Sequence, residues 1–534
     1  MSNSLNYILF ALLLFFTIGA FAQQQDFIGG RLLDAKTNEP VVFANIRIKD
    51  RALGIITNVD GSFRIPLIYK EYGDIIEISS MGYQAKEISI TEFAQGELNI
   101  IKLDPGAIDL QEVIVKAKDK RKKLSAKQIV QKAIDAIPQN YPSTSFSTIG
   151  YYRDYQFNEG EYINLNEGIL EVFDQGFDQL DDATSETRLF NFDLNEDFKQ
   201  DSLALMAYDY ESKRKIINKA YLDAYGGNEF RILRIHDAIR NYNAGAYDYI
   251  GTLKTDFIKN HSFLRGSDTR GNNEELYGIK FWELNGDYRA HGQIYISKVD
   301  FAIHKLEYTM YNNRKTNKDS KKNKHGHKQK VIYDVSTDYR KFNGKMYLNY
   351  ISFHNNFVLN IPPVFKVNTI GVDGNCLCFE VEYNDLPEAK SSVHIPNYIV
   401  EFKKNRVRIK TVERLKNKVL LYPMMIEEKV VEMLQEIYLE EKQGADLDGL
   451  FDVKVTNVRD TVGNLVNKWT QMDYLQYREF FVQRVKLDSR APFDDLFMDK
   501  RKPIFENQPM VKPKDYNEYW MNTPLQESIN SYKR

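Results

Sequence analysis

The chain has 534 residues, with 72 Lys and Arg against 74 Asp and Glu, for a formal charge of −2. That length accommodates two to four domains, and the balance leaves no global positive field of the kind that would point to nucleic acid. With only two cysteines, no disulfide framework holds the chain together, while 34 Tyr and 32 Phe suit sheets better than helix bundles.

Residues 1–22 read as a secretory signal peptide. Tyr7 to Ile18 is nearly all apolar, and Ala20-Phe21-Ala22 forms a small-x-small cleavage site before Gln23. Met1 to Asn6 carries no Lys or Arg, so the basic n-region is missing. The competing reading is a retained anchor, but the run is shorter than the ~20 residues that span a bilayer. No cysteine sits near the cleavage site, which argues against a lipid-anchored lipoprotein. No later apolar run is long enough for a transmembrane helix, and an outer-membrane barrel leaves a weaker trace that this test does not address.

Residues 23–117 alternate in short runs. Val42, Ala44, Ile46 and Ile48 share one face, as do Phe63 with Ile65, Ile76 with Ile78, and Val113 with Val115. Period two marks half-buried strands. Asn38 to Pro40, Asp60-Gly61 and Met81-Gly82 supply the turns, and several short strands at even spacing predict a small Greek-key sandwich. The same stretch resembles the carboxypeptidase-D regulatory-like domain of Bacteroidetes envelope proteins. The matching features are Gly30, Asn38-Glu39-Pro40, Ala44-Asn45-Ile46, Thr57 to Phe63, Met81-Gly82-Tyr83 and Leu110 to Val115. That resemblance implies a noncatalytic, transthyretin-like sandwich in an envelope protein.

Lys116 to Lys123 is a basic linker, read either as a solvated hinge or as a contact for anionic lipid headgroups. Within the linker-and-helix segment 118–142, Ser125 to Ile137 predicts a helix. Ser125 and Gln128 form its capping box, Ile129, Val130, Ala133, Ile134 and Ile137 form its stripe, and Pro138 ends it. The stripe is expected to dock on the sheet that follows.

Residues 143–398 predict a larger antiparallel β domain, a curved sheet or half-barrel. Hairpins turn at Asn158-Glu159-Gly160, Asn285-Gly286 and Asn343-Gly344. Residues 195–245 are less regular and predict an insertion with short helices, for instance around His236 to Asn241. The rhythm of His291 to Ser297, Phe301 to Tyr308 and Tyr339 to Leu348 is similar to the curved half-barrel of periplasmic lipoprotein carriers. Residues 125–385 also look like the region that follows the regulatory-like module in other secreted Bacteroidetes proteins. Leu306, Tyr308 and Met310 on one strand, and Met346, Leu348 and Tyr350 on another, predict one concave, aromatic-rich face. Such a face needs a cover, from the Ser125 helix, a helix at Ile426 to Lys442, or a bound acyl chain.

Arg314 to Lys330 carries eight Lys or Arg against Asp319 and joins two strands. It reads as a solvated loop or as a contact for lipid or lipopolysaccharide phosphates. Aromatic residues do not interleave with these charges, against a single-strand nucleic-acid surface. Residues 399–490 predict basic strands and amphipathic helices, the second helix at Thr470 to Arg484. Residues 491–534 predict an extended tail pinned by Phe497, Tyr519 and Trp520.

The chemistry-bearing patterns are thin. His304-Lys-Leu-Glu307 matches the His-x-x-Glu of zinc carboxypeptidases, but a separation of three in a strand sends the two side chains to opposite faces, unable to close on zinc at about 2.1 Å. His325-Gly-His327 sits among cations that oppose a metal. Cys376-Leu-Cys378 reads as two half-buried free thiols ahead of a strained oxidised pair, because a bridge across one residue of a strand is badly strained. Asp446-Leu-Asp-Gly449 is too short for a calcium loop. No P-loop, dinucleotide fingerprint or nucleophile elbow occurs. These readings predict a mainly β, noncatalytic envelope protein with no cofactor and no metal site. It is expected to be exported and to bind or scaffold envelope proteins or outer-membrane components on the periplasmic face of the outer membrane. The alternatives are a periplasmic carrier of a lipid or other hydrophobic ligand, and an enzyme of unrecognised type.

Overall fold

A computed structural model describes residues 27–51, 53–106, 124–158, 161–218, 220–239, 257–271, 274–286, 288–312, 331–443 and 450–525. The apolar N-terminal run, Leu110 to Val115, the basic linker, the Arg314 to Lys330 run with His325 and His327, and Asp446 to Gly449 lie outside the described residues. The protein is mainly β, and it divides into two compact units. The first comprises Met1–Glu211, Lys215–Phe357 and Tyr474–Arg534, and the second Ser212–Arg214 and Val358–Asp473.

The first unit begins with a sandwich. Its strands are β1 (Phe27–Asp34), β2 (Asn45–Ile48), β3 (Gly54–Ile56), β4 (Ser62–Pro66), β5 (Ile75–Ser79), β6 (Lys86–Ser89) and β7 (Asn99–Leu103). One sheet runs β4-β1-β7 and the other β3-β2-β5-β6. Ile28, Leu32, Ile46, Ile65, Ile76 and Ile78, fully buried or nearly so, fill the space between them, which is the inward half of each alternating run.

The rest of the first unit is a twelve-stranded open sheet. Its strands are β8 (Phe146–Asn158), β9 (Glu161–Asp174), β10 (Glu186–Leu194), β11 (Lys215–Ile216), β12 (Ser262–Arg265), β13 (Thr269–Gly271), β14 (Glu274–Asn285), β15 (Tyr288–Ser297), β16 (Ile303–Asn312), β17 (Val331–Phe342), β18 (Lys345–Ile361) and the last strand of the chain, Thr470–Leu487. The order is β10-β9-β8, then Thr470–Leu487, then β18-β17-β16-β15-β14-β12, with β11 beside β18 and β13 beside β14. Bulges in β9, β10, β16 and β18 bend the strands. Asn343 and Gly344, both at positive φ, make the tight β17–β18 turn that their sequence predicts.

Thr470–Leu487 is a strand and not the helix expected from its spacing. It lies between β8 and β18 with both faces covered, so Phe480, Phe481 and Val482 in succession are buried. A strand buried on both sides loses its polar–apolar alternation, and the remaining spacing of Tyr474, Tyr477 and Phe481 mimics a helical stripe.

The face carrying Leu306, Tyr308 and Met310 is covered by the chain itself. The helix Ala126–Asp135, opened by the reciprocal Ser125 and Gln128 bonds, packs on β12 and β15. The short helix Glu229–Arg234, slightly ahead of the expected position, sets Phe230 against Tyr152 and Phe480 with ring centroids 5.1 and 5.3 Å apart. His236 stacks on Phe353 at 3.8 Å.

The second unit contains β19 (Val367–Asp373), β20 (Cys378–Tyr383), β21 (Tyr398–Phe402), β22 (Asn405–Val407), β23 (Ile409–Leu415), β24 (Lys418–Pro423) and β25 (Phe451–Val455). They form the sheets β19-β20-β24-β23 and β22-β21-β25. The helix Glu427–Lys442 buries Val430, Met433, Leu434 and Ile437 in the core of this unit, so it is not the expected cover of the large sheet. Cys376 and Cys378 form a disulfide, contrary to the free thiols expected. They are not paired residues of a flat strand. Leu377, at a φ of 53°, curls the β19–β20 turn and brings their Cα atoms to 5.3 Å.

Candidate functional site

The second face of the large sheet is polar, and the sandwich lies over it. On β16 half-buried Lys305 and Glu307 alternate with buried Leu306 and Tyr308, and on β17 half-buried Asp334, Ser336 and Asp338 alternate with buried Val335, Thr337 and Tyr339. The polar members of these rows, with Gln293 and Trp282 from β15 and β14, floor a cavity of about 780 Å³. Val42, Phe43, Asn45, Ser80 and Met81 of the sandwich roof it. Ligand pockets typically enclose roughly 300–1,000 Å³.

A bulge in β18 shapes the floor. Asp338 pairs with Tyr350 but Tyr339 with Leu348, so Asn349 is the extra residue and the alternation reverses there. Tyr350 therefore leaves the face of Met346 and Leu348, where the sequence pattern put it, and lines the cavity instead. It stacks between Phe43 at 5.5 Å and Phe481 at 4.6 Å. Asn349 ties sandwich to sheet. Its Oδ1 accepts from Arg47 at 2.7 Å, and its Nδ2 donates to Asn45 at 2.7 Å and to Asp338 at 3.0 Å. Protein atoms crowd Asp338, and this burial pushes its carboxyl up to about 6 against the opposing pull of Lys305. Lys305 itself donates to Glu307 at 2.7 Å.

Beneath one end of the cavity lies a buried ion pair. Arg153 Nε meets Glu479 Oε2 at 2.5 Å, with both side chains fully buried. Arg153 also donates to Asn58 of the sandwich, and His354 Nε2 lies 3.3 Å from the other Glu479 oxygen. Burial favours the neutral carboxyl, but Arg153 and His354 outweigh it and hold Glu479 below its ordinary range. The C-terminal segment closes the joint. Trp520 donates to the Arg64 carbonyl at 2.9 Å, Arg64 N–H donates to Asn522, and Asn522 donates to the Ile56 carbonyl at 2.8 Å. One hydrophobic core accordingly contains Ile46 and Phe63 of the sandwich, Tyr350 and Phe481 of the sheet, and Tyr519 and Trp520 of the tail.

The sandwich can now be placed among known domains. Residues 28–115 match the CarboxypepD_reg-like domain. This regulatory-like domain is also where a curated relative aligns: the TonB-dependent receptor SusC of Bacteroides thetaiotaomicron is 37% identical over 102 residues, 19% of this chain. The chain spans only 9% of that receptor's length. Similar solved structures include a putative outer membrane lipoprotein-sorting protein domain from Vibrio parahaemolyticus, at 9% identity, 43% coverage of this chain, 85% of that one and a TM-score of 0.18. A LolA superfamily protein from Nitrosomonas europaea gives 9% identity, 43% and 86% coverage and a TM-score of 0.19. The large sheet is therefore read from its own residues.

The tempting patterns of the sequence do not converge. His304 is buried beside Glu274, with its Nε2 at 3.4 Å, while Glu307 lines the cavity and pairs with Lys305. Among the described residues no three His, Cys, Asp or Glu side chains gather as metal ligands would. The cavity residues were invisible as a group in the sequence, because each is a single polar position in an alternating strand and reads as solvent-facing.

Proposed function

We propose that this chain is a noncatalytic, envelope-associated binding protein, exported to the periplasmic side of the outer membrane. In this reading its regulatory-like domain is a fixed wall of the binding site. The carrying observation is the cavity of about 780 Å³ between that domain and the polar face of the sheet, held at a fixed geometry by Asn349, Arg153 and the tail. The match of residues 28–115 and the receptor relative support the compartment, as does the signal-like N-terminal sequence. A lipid-carrier reading draws less support, because the helix Ala126–Asp135, Phe230 and His236 pack on the apolar face that would cradle an acyl chain.

The test is affinity purification of the tagged full-length protein from native envelope, followed by mass spectrometry of proteins, lipids and small molecules. A wild-type-specific small molecule or envelope partner is expected, lost in Ser336→Trp, which fills the cavity from its floor. Recovery of stoichiometric acyl lipid, or a partner profile unchanged by that variant, would overturn the proposal.

A further inference from the structure

We infer that the cavity takes a neutral, hydroxyl-rich ligand of carbohydrate type; this rests on the binding reading above and narrows it to a chemical class. Three features of the site carry it. The floor offers both hydrogen-bonding senses side by side: Glu307 and Asp338 accept only, Lys305 donates only, and Gln293 and Ser336 do both. A hydroxyl group donates and accepts at once, so a ring bearing several of them can satisfy such a mixed floor, whereas a purely accepting or purely donating ligand cannot.

The roof and the β14 side of the floor add apolar surface. Phe43 and Met81 come down from the regulatory-like domain, and Trp282 stands on β14. A sugar ring has a face of C–H groups that packs on aromatic and thioether surface while its hydroxyls turn the other way. Tyr350, 4% exposed at the floor, adds a further aromatic ring to the lining.

The electrostatics exclude the rival classes. Glu307 and Asp338 face Lys305, 2.7 Å from the former, and Arg47, while Asp334 and Lys280 add one charge of each sign to the lining, so the charges balance and neither a cation nor an anion gains a net attraction. An acyl chain would strip Lys305, Glu307 and Asp338 of water without replacing its hydrogen bonds.

The experiment uses the whole protein on a glycan microarray that carries neutral, uronate-bearing and amino-sugar glycans. Hits are quantified by isothermal titration calorimetry, with anionic phospholipid vesicles as a separate probe. At least one neutral glycan is expected to bind, with uronate analogues weaker by roughly tenfold or more, about 1.4 kcal/mol. Ser336→Trp and the milder Gln293→Ala should each weaken binding by a similar factor while leaving circular dichroism unchanged. Binding only of acidic or aminated glycans, or of vesicles, would overturn the ligand class. Should no glycan bind while the native small molecule still depends on Ser336, the class fails and the binding reading stands; should Ser336→Trp alter neither, both fail together.

Discussion

At the residue scale the joint between sandwich and sheet rests on buried charge that is balanced by its partners. Replacing Glu479 by Gln leaves the Arg153 guanidinium fully buried without its counter-charge, and breaking such a pair costs about 3–5 kcal/mol. Urea denaturation of Glu479→Gln should show that loss, and the double variant Arg153→Met, Glu479→Leu should recover most of it. A single-variant loss below about 1 kcal/mol would mean the pair is solvated. Asp338 gives a pH signature. Its folded value of about 6 lies above the unfolded value of about 3.9, so the folded state binds this proton more tightly. The resulting stability is complete below about pH 4 and is lost as the pH rises through about 6. Asp338→Asn should abolish that part of the pH dependence, about 2 kcal/mol between pH 4 and 7, in thermal melts across that range; parallel curves for the two proteins would refute the assignment. None of this was legible in the sequence. Arg47 and Asn349 are 302 positions apart, and a polar residue at an alternating position looks the same whether it faces water or a partner.

At the scale of elements, what could be read was whatever local periodicity encodes. The sandwich strands, the Asn343-Gly344 hairpin and the capped helix Ala126–Asp135 all advertise themselves through alternation, turn chemistry or an N-cap. The misread elements are those whose environment overrides the local signal: Thr470–Leu487, buried on both faces, and Tyr350, re-aimed by the bulge at Asn349. The contact of β8 with Thr470–Leu487 yields a test. A Cβ on Gly150 would sit 2.1 Å from the Phe481 carbonyl oxygen and 2.7 Å from the Phe480 ring, and neither can withdraw without parting the two strands. Gly150→Ala should therefore destabilise the first unit by about 3 kcal/mol. Calorimetry should show a lowered first-unit transition, and an unshifted one would contradict the pairing of these strands.

At the scale of the whole molecule, the chain returns twice to finish what its early segments began. Tyr519 and Trp520, each 2% exposed, complete the core that the regulatory-like domain shares with the sheet. Trp520→Ala should cost about 3–5 kcal/mol and make residues 27–106 newly sensitive to limited proteolysis, seen as a released fragment by mass spectrometry; an unchanged digestion pattern would show that the tail is dispensable. The second return is Thr470–Leu487, which fits between β8 and β18. A chain emerging from its N-terminus thus completes β8 more than 300 residues before the strand that joins it to β18 exists. Until then two half-sheets carry bare hydrogen-bonding edges toward each other, the surfaces most prone to pairing with a stranger. The large sheet is consequently one whose maturation waits for Thr470–Leu487, so a transport or holding factor that keeps the earlier strands apart has a defined interval in which to act.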